Sequence, residues 1–171
     1  MDVREVSISL DQAGPGWWDC TLNVGTQRFV LNGASYNTDV GDLIRAALQI
    51  STGGTLARVS FDGEPTELRL VLLAHEPALF VRVLEFANFY DDAVDEVGRE
   101  VFKAECDLEA FAQAVLAAAT SVLRDVRPDG KIWWSGEPFP IRAFQALQAA
   151  LATPTTEVPP ASAMGRMLPS P

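Results

Sequence analysis

Ser35 and His75 are the side chains whose types could support nucleophilic catalysis. Gly33–Asn37 lies between a predicted strand and a predicted helix, where a G-x-S-x-G turn would expose a serine nucleophile. The fifth residue of this segment is Asn and not Gly, and the surrounding strands are predicted to be antiparallel. His75 is the single histidine, and nothing beside it could orient it as a general base. We therefore interpret Ser35 as a turn or helix-entry residue and His75 as a solvated or capping residue.

A dense run of carboxylates is the strongest chemical signal in the chain. The segment from Asp91 to Glu109, called here the acidic stretch, holds eight acids and two bases. It carries −6 of the formal net charge of −10. Like charges at this density create a negative potential that favours basic partners or cations.

Three interpretations of the acidic stretch stay open: a cation site, a solvated surface with no specific partner, and a docking surface for a basic protein. Calcium requires about six to eight oxygens from a tightly spaced loop with a glycine at its bend. The acids at the start of the stretch lack that spacing and Gly98 follows too late, so a cation site is the least favoured of the three and no metal ligand is predicted. Docking would use the negative potential to raise association rate and specificity. The predicted partner-binding acids are Asp91, Asp92, Asp95, Glu96 and Glu100.

Paired tryptophans occur twice, at Trp17-Trp18 and at Trp133-Trp134. Neighbouring side chains of a strand point to opposite faces, so one member of each pair is expected in the core and the other at the surface. Exposed Trp is enriched at binding hot spots. We predict Trp17 and Trp133 as contact residues, with Trp134 as the alternative to Trp133.

Other catalytic and cofactor motifs are absent from the sequence. It contains no GxxxxGK[ST] or GxGxxG phosphate loop and no Cys/His zinc spacing, so we predict no catalytic residue, metal ligand or cofactor. A pair of carboxylates for acid–base catalysis stays open, because acids are numerous, but nothing singles one out. The net charge would repel phosphates, which argues against nucleic acid as a partner.

The chain shows neither a secretory signal nor a bilayer-spanning run. The first residues lack the basic start and apolar core of a signal, and the longest apolar runs are far shorter than the roughly 18 residues that a span needs. Cys20 and Cys106 form no CxxC pair and are read as free thiols. These observations predict a protein of the cytoplasm that does not bind membranes.

Hydrophobic periodicity predicts an α+β fold. Alternating apolar residues predict strands near residues 5–11, 18–24 and 27–31 and a three-strand meander over residues 57–86. Apolar stripes at helical spacing predict a helix from Val40, capped by Asn37 or Thr38, a second capped by Asp107, and a third after Phe139-Pro140. The predicted architecture is an antiparallel sheet of about six strands with one inserted helix and two C-terminal helices packed on one face.

The length and composition predict one domain over residues 1–152. Residues 153–171 contain five prolines and almost no bulky side chains, so we expect them to form a disordered tail.

Several short motifs occur in a suggestive order. Ser35 and Asp39 precede the first helix, Glu64-Pro65 precedes a hydrophobic strand, and Trp134 and Phe139-Pro140 precede the last helix. Over about residues 17–151 this order resembles a family of small bacterial proteins without assigned activity. The resemblance implies no catalytic residues. In size, acidity and lack of catalytic motifs the chain is also similar to immunity proteins that neutralise bacterial toxins.

These observations favour a non-enzymatic protein that docks a basic protein surface, of the immunity or antitoxin type. Oligomeric state is left open. The alternative is a small enzyme or small-molecule binder with a pocket between sheet and helices, which a cavity holding carboxylates beside Ser35, Tyr36 or His75 would support.

Overall fold

A computed structural model describes residues 5–89 and 92–153. Within these ranges the chain forms seven strands and three α-helices, with a single 3-10 turn at Asp95–Val97. In chain order the elements are β1 (Val6–Gly14), β2 (Trp17–Val24), β3 (Gln27–Ala34), α1 (Val40–Ser51), β4 (Leu56–Asp62), β5 (Glu67–His75), β6 (Ala78–Phe86), β7 (Arg99–Asp107), α2 (Leu108–Arg124) and α3 (Ile141–Ala152).

The first three strands form an antiparallel sheet in the order β1-β2-β3. Alternate side chains of β2 from Trp18 to Val24 are buried, as the alternation predicts. Burial, with a smaller effect from the Asp19 charge, raises the pKa of the Cys20 thiol to about 12. Cys20 is therefore a neutral core residue at physiological pH, and both Cys20 and Cys106 are free and buried.

The other four strands form a second antiparallel sheet in the order β4-β5-β6-β7. Its inner face joins the main core through residues such as Phe61, Leu72, Val81 and Phe102. Its other side is called here the outer face. The outer face includes a cross-strand row in which Arg58 pairs with Val71, Val71 with Arg82, and Arg82 with Lys103.

Carboxylates cap two of the three helices. The Asp39 side chain accepts a hydrogen bond from the Gly41 amide at the start of α1, and Asp107 accepts one from the Ala110 amide at the start of α2. The predicted Asp107 cap is confirmed, whereas Asn37 and Thr38 do not cap α1. Both lie in the turn before it: the Asn37 side-chain amide and the Thr38 hydroxyl bond to Asp62 at the end of β4.

Both sheets and all three helices share one hydrophobic core. The Trp18 ring of β2 lies 5.4 Å from the Phe61 ring of β4, and Phe29 of β3 lies 5.5 Å from Phe102 of β7. The helix α2 packs along β1, and the three helices contact one another. The apolar spacing of α3 predicts that Ile141, Phe144, Leu147 and Leu151 face inward. Phe144 and Leu147 are buried and Leu151 is partly buried, while Ile141 is exposed.

The predicted α+β class with antiparallel strands is confirmed. The described residues form seven strands in two sheets, where about six in one sheet were expected. The additional strand is β7, which lies within the acidic stretch and was not expected there. Its charged side chains alternate with Phe102, Ala104 and Cys106, so its inner face is apolar in spite of its composition. The predicted tail lies outside the described residues apart from Thr153, and the extent of the domain stays a prediction.

Candidate functional site

The outer face of the four-stranded sheet receives the first part of the acidic stretch. Residues 92–98, called here the anchored segment, are the part of the connection from β6 that leads directly into β7. Arg58 and Arg69 on this face both contact Asp95 of the anchored segment, at 2.7 and 2.9 Å. The ladder register places these two arginines on neighbouring strands, β4 and β5. The sheet therefore fixes the position of Asp95 within the anchored segment.

Arg69 is the centre of the attachment. Its guanidinium donates two hydrogen bonds to the buried Glu67 carboxylate, at 2.8 and 3.1 Å, one to the Ala93 carbonyl at 2.7 Å and one to Asp95 at 2.9 Å. It also lies 4.2 Å from the centre of the Phe86 ring. A bidentate arginine with these additional acceptors holds the anchored segment at a defined distance from β5.

Asp95 is compensated within the fold. Its side chain is only 15% exposed and is shared by Arg58 and Arg69. Desolvation would raise the pKa of Asp95, but the hydrogen bonds from Arg69 and Arg58 outweigh it and hold the pKa below the usual 3.8. Asp95 therefore attaches the segment to the sheet, and it presents little free charge to a partner.

Gly98 allows the end of the anchored segment to approach the sheet closely. A Cβ at this position would lie 2.6 Å from Phe86 Cζ and 3.0 Å from Leu84 Cβ. Leu84 and Phe86 form a small apolar cluster with Val71, against which Ala93 packs. The segment is thus held by ion pairs near Asp95 and by apolar contact at its two ends.

The remaining predicted acids differ in how far they are compensated. Glu100 is bonded to Arg82 at 2.6 Å and lies 3.4 Å from Lys103, and the hydrogen bond from Arg82 is the main reason that its pKa is lowered. Asp92 and Glu96 are exposed and form no ion pair within the described residues. Asp91 lies outside the described residues. The free negative charge of this region is therefore smaller than the sequence implies.

Exposed apolar side chains occur on the same face. Leu73 and Phe80 are cross-strand neighbours, each 37% exposed, and Phe80 in turn pairs with Glu105. Val94 and Val97 of the anchored segment are 61% and 70% exposed. Of the seven large apolar side chains that are exposed in the described residues, four thus belong to this face or to the segment on it. Exposed apolar groups that share one face make that face a candidate interaction surface.

The predicted tryptophans lie elsewhere. Trp17 is half-buried and points outward from the three-stranded sheet, next to the buried Trp18. Trp133 is 50% exposed in the loop before α3, and its ring meets that of the buried Trp134 edge to face at 5.9 Å. No ring contact or hydrogen bond connects either residue to residues 92–98 in the described chain. Their role as contact residues stays a prediction.

The second part of the acidic stretch reaches a cleft of about 840 Å³ at the opposite end of β7. Glu76, Asp107 and Glu109 line it, together with the last residues of α1 and α3. None of the described lining residues is basic. The stretch is therefore divided between two places, one with arginine partners and one without.

The structure uses residues that sequence reasoning did not select. Arg58, Arg69 and Arg82 compensate the acids, and Leu73 and Phe80 supply the exposed apolar surface. Apolar residues at both alternating positions of β5 and β6 do indicate strands with cover on both sides. This pattern does not show which part of the outer face is covered by other residues of the chain and which part is exposed to solvent.

Candidate catalytic groups do not come together. Ser35 donates its hydroxyl to the Gly16 carbonyl at 3.0 Å and so closes the turn before α1. His75 is exposed and meets Phe80 edge to face at 5.8 Å. Within residues 5–89 and 92–153, no group of three or more His, Cys, Asp or Glu side chains could hold a metal ion.

None of the helices in the described ranges is both long and apolar enough to cross a bilayer. No protein-family profile matches the chain, and no curated protein matches it. Among solved structures, the chain is similar to one entitled "CdiA-CT/CdiI toxin and immunity complex from Enterobacter cloacae". The identity is 10%, the TM-score is 0.45, and the alignment covers 66% of this chain and 99% of that one. Function is therefore inferred from the geometry of the chain itself.

Proposed function

We propose that this protein is a non-enzymatic binding protein of the immunity or antitoxin type, which docks a basic surface of a partner protein on its outer face. The observation that carries the proposal is that two kinds of group occur on that face and on the segment attached to it. Leu73, Phe80, Val94 and Val97 are exposed apolar groups, and the acids Asp92, Glu96 and Glu105 accompany them without ion-pair partners in the described residues.

Protein interfaces combine apolar area with polar or charged residues around it. The apolar side chains supply area that is removed from water, whereas the free acids select a partner of opposite charge and increase the association rate. Arg69, Asp95 and the close contact at Gly98 hold Val94 and Val97 in place before binding. Such preorganisation lowers the entropic cost of association.

Affinity capture from the native lysate tests this proposal with three versions of the full chain. The first is unmodified. The second carries Asp92→Asn, Glu96→Gln and Glu105→Gln, and the third carries the matched control changes Glu5→Gln, Asp11→Asn and Asp125→Asn. All six positions are exposed, and both variants lose three negative charges. Asp95 is left intact because its loss would release the anchored segment.

We expect a protein with a basic surface to be captured by the unmodified chain and by the control variant, and to be depleted several-fold with the outer-face variant. Capture should also weaken between roughly 50 and 300 mM salt, because exposed charges are screened at these ionic strengths. Identical capture by all three versions would contradict the proposal. So would a captured partner whose binding is lost only in the control variant.

A further inference from the structure

A second cleft lies away from the outer face, between the turn before α1 and the loop before α3. It is formed by residues 35–40 on one side and by Ile132, Ser135, Glu137 and Pro138 on the other, with Trp18 at its base. Its volume is about 440 Å³, within the range of roughly 300–1,000 Å³ that small-molecule sites occupy. None of its lining residues contributes to the docking surface proposed above.

Hydrogen bonds within the chain fix both walls of this cleft. On one wall the Trp18 indole donates to the Thr38 carbonyl at 3.1 Å, and the Asn37 amide donates to Asp62 at 2.7 Å. On the other wall the Ile132 amide donates to the Glu137 carbonyl and the Gly136 amide to the Ile132 carbonyl, both at 2.8 Å. A ligand would therefore meet a largely preformed site.

The lining combines apolar surface with a few polar groups that are not used by the fold. Val40 and Ile132 are buried and Pro138 is exposed. Tyr36 is 65% exposed, and its hydroxyl has no partner in the described residues. Glu137 is likewise exposed without an ion-pair partner there. Aromatic and apolar walls with a few placed hydrogen-bonding groups are typical of small-molecule sites.

The charges at the cleft favour a neutral ligand. Asp39 caps α1 and is bonded to Arg45 at 2.8 Å, and Arg45 also pairs with Asp42. Glu137 is consequently the one lining carboxylate without an ion-pair partner in the described residues, and Lys131 lies at the start of the same loop. A single acceptor beside the hydroxyls of Tyr36 and Ser135 suits a ligand with several hydroxyl groups, and the Tyr36 ring offers a flat apolar surface.

We propose that this cleft binds a neutral saccharide of one or two rings, with the Tyr36 ring against a sugar face and Glu137 accepting hydrogen bonds from sugar hydroxyls. The test is saturation-transfer NMR on the full chain with methyl α-glucoside, methyl β-galactoside, N-acetylglucosamine and cellobiose as probes. We expect saturation transfer to at least one of these sugars at millimolar concentration, with an affinity that does not change with salt.

The variants Tyr36→Ala and Glu137→Gln should each weaken this binding about tenfold, whereas Tyr36→Phe should retain part of it through the ring. Asp125→Asn is the matched control, since it removes an exposed carboxylate outside the cleft. Tyr36 and Glu137 are exposed, so the melting temperature should not change in any of these variants. The proposal is overturned if no sugar probe binds, if Tyr36→Ala and Glu137→Gln bind the sugar as tightly as the unmodified chain, or if the cation spermidine binds the cleft in a salt-dependent way instead.

Discussion

At the scale of single residues, Arg69 connects two parts of the chain that lie far apart in sequence. It satisfies the buried Glu67 carboxylate of β5 and also holds Asp95, 26 residues further along. Without its guanidinium, the buried Glu67 carboxylate would lose its cationic partner, and Asp95 would keep only Arg58. Removing one partner of a buried ion pair is far more costly than removing an exposed pair.

We predict that Arg69→Ala lowers the free energy of unfolding by about 3–5 kcal/mol. Arg58→Ala is the matched control, because Arg58 also contacts Asp95 but its own side chain is 47% exposed. The control should cost about 1 kcal/mol or less. Urea unfolding followed by tryptophan fluorescence measures both, and equal losses in the two variants would show that Arg69 has no central role.

Because the pKa of Asp95 is lowered in the folded chain, the free energy of unfolding depends on pH in the acidic range. Because its pKa is lower in the folded chain than in the unfolded chain, the unfolded chain binds more protons as the pH falls. The contribution of Asp95 is thus complete above its unfolded pKa, near the usual 3.8, and is lost as the pH falls through the folded pKa.

We expect Asp95→Asn to have a lower free energy of unfolding than the unmodified chain at pH 7. Between about pH 5 and about pH 3, its free energy of unfolding should fall less than that of the unmodified chain. Urea titrations at pH 7 and across this acidic range measure both effects. Asp11→Asn, at an exposed position of β1, serves as the control and should follow the unmodified chain. Parallel stability–pH curves for Asp95→Asn and the unmodified chain would contradict this account.

At the scale of elements, the anchored segment is a connection between strands that packs on the outer face of the sheet. Its sequence contains no regular apolar pattern, yet Ala93 and Gly98 contact the outer cluster of Val71, Leu84 and Phe86. These contacts and the Asp95 ion pairs leave Val94 and Val97 facing solvent.

We predict that Gly98→Ala destabilises the fold by about 1–3 kcal/mol, because the added Cβ would overlap Phe86 and Leu84. The φ angle of Gly98 is −73°, so the cost would come from the lost close approach and not from backbone strain. Partner capture should also fall, since Val97 would move away from the sheet. Val97→Ala is the control: it should reduce capture and leave the unfolding free energy unchanged.

The strand β7 shows why one element was missed and others were found. Val6, Ile8 and Leu10 alternate with polar residues and predict β1 directly. In β7 the inner face has Phe102 with the small side chains of Ala104 and Cys106, and charges dominate the composition. Only pairing with β6 shows that this charged segment is a strand.

At the scale of the whole molecule, the three helices and the inner faces of both sheets close a single core. The last core side chains in the described chain are Phe144 and Leu147 of α3, with Leu151 partly buried against them. We propose on this basis that residues 1–152 are one folding unit.

A chain truncated after Thr153 should therefore unfold at the same urea concentration as the full chain and retain partner capture. A chain truncated after Asp129 serves as the comparison, because it lacks α3. Its free energy of unfolding should fall by several kcal/mol, since one buried Phe or Leu contributes about 2–5 kcal/mol. A marked loss of stability on truncation after Thr153 would show that the folding unit extends further.

Sequence alone determined the α+β class, the helix formed after Asp107, the alternating burial of β2 from Trp18 to Val24 and the sign of the net charge. These properties depend on local periodicity or on simple counting, and neither needs a partner distant in the chain. The tertiary structure decided which charges remain free, which apolar groups stay exposed and where the clefts lie. Asp95 meets Arg58 across 37 residues because the ladder register and the path of the anchored segment bring them together. A charge contributes to the total wherever it lies, whereas its potential at the surface depends on distances that only the folded chain sets.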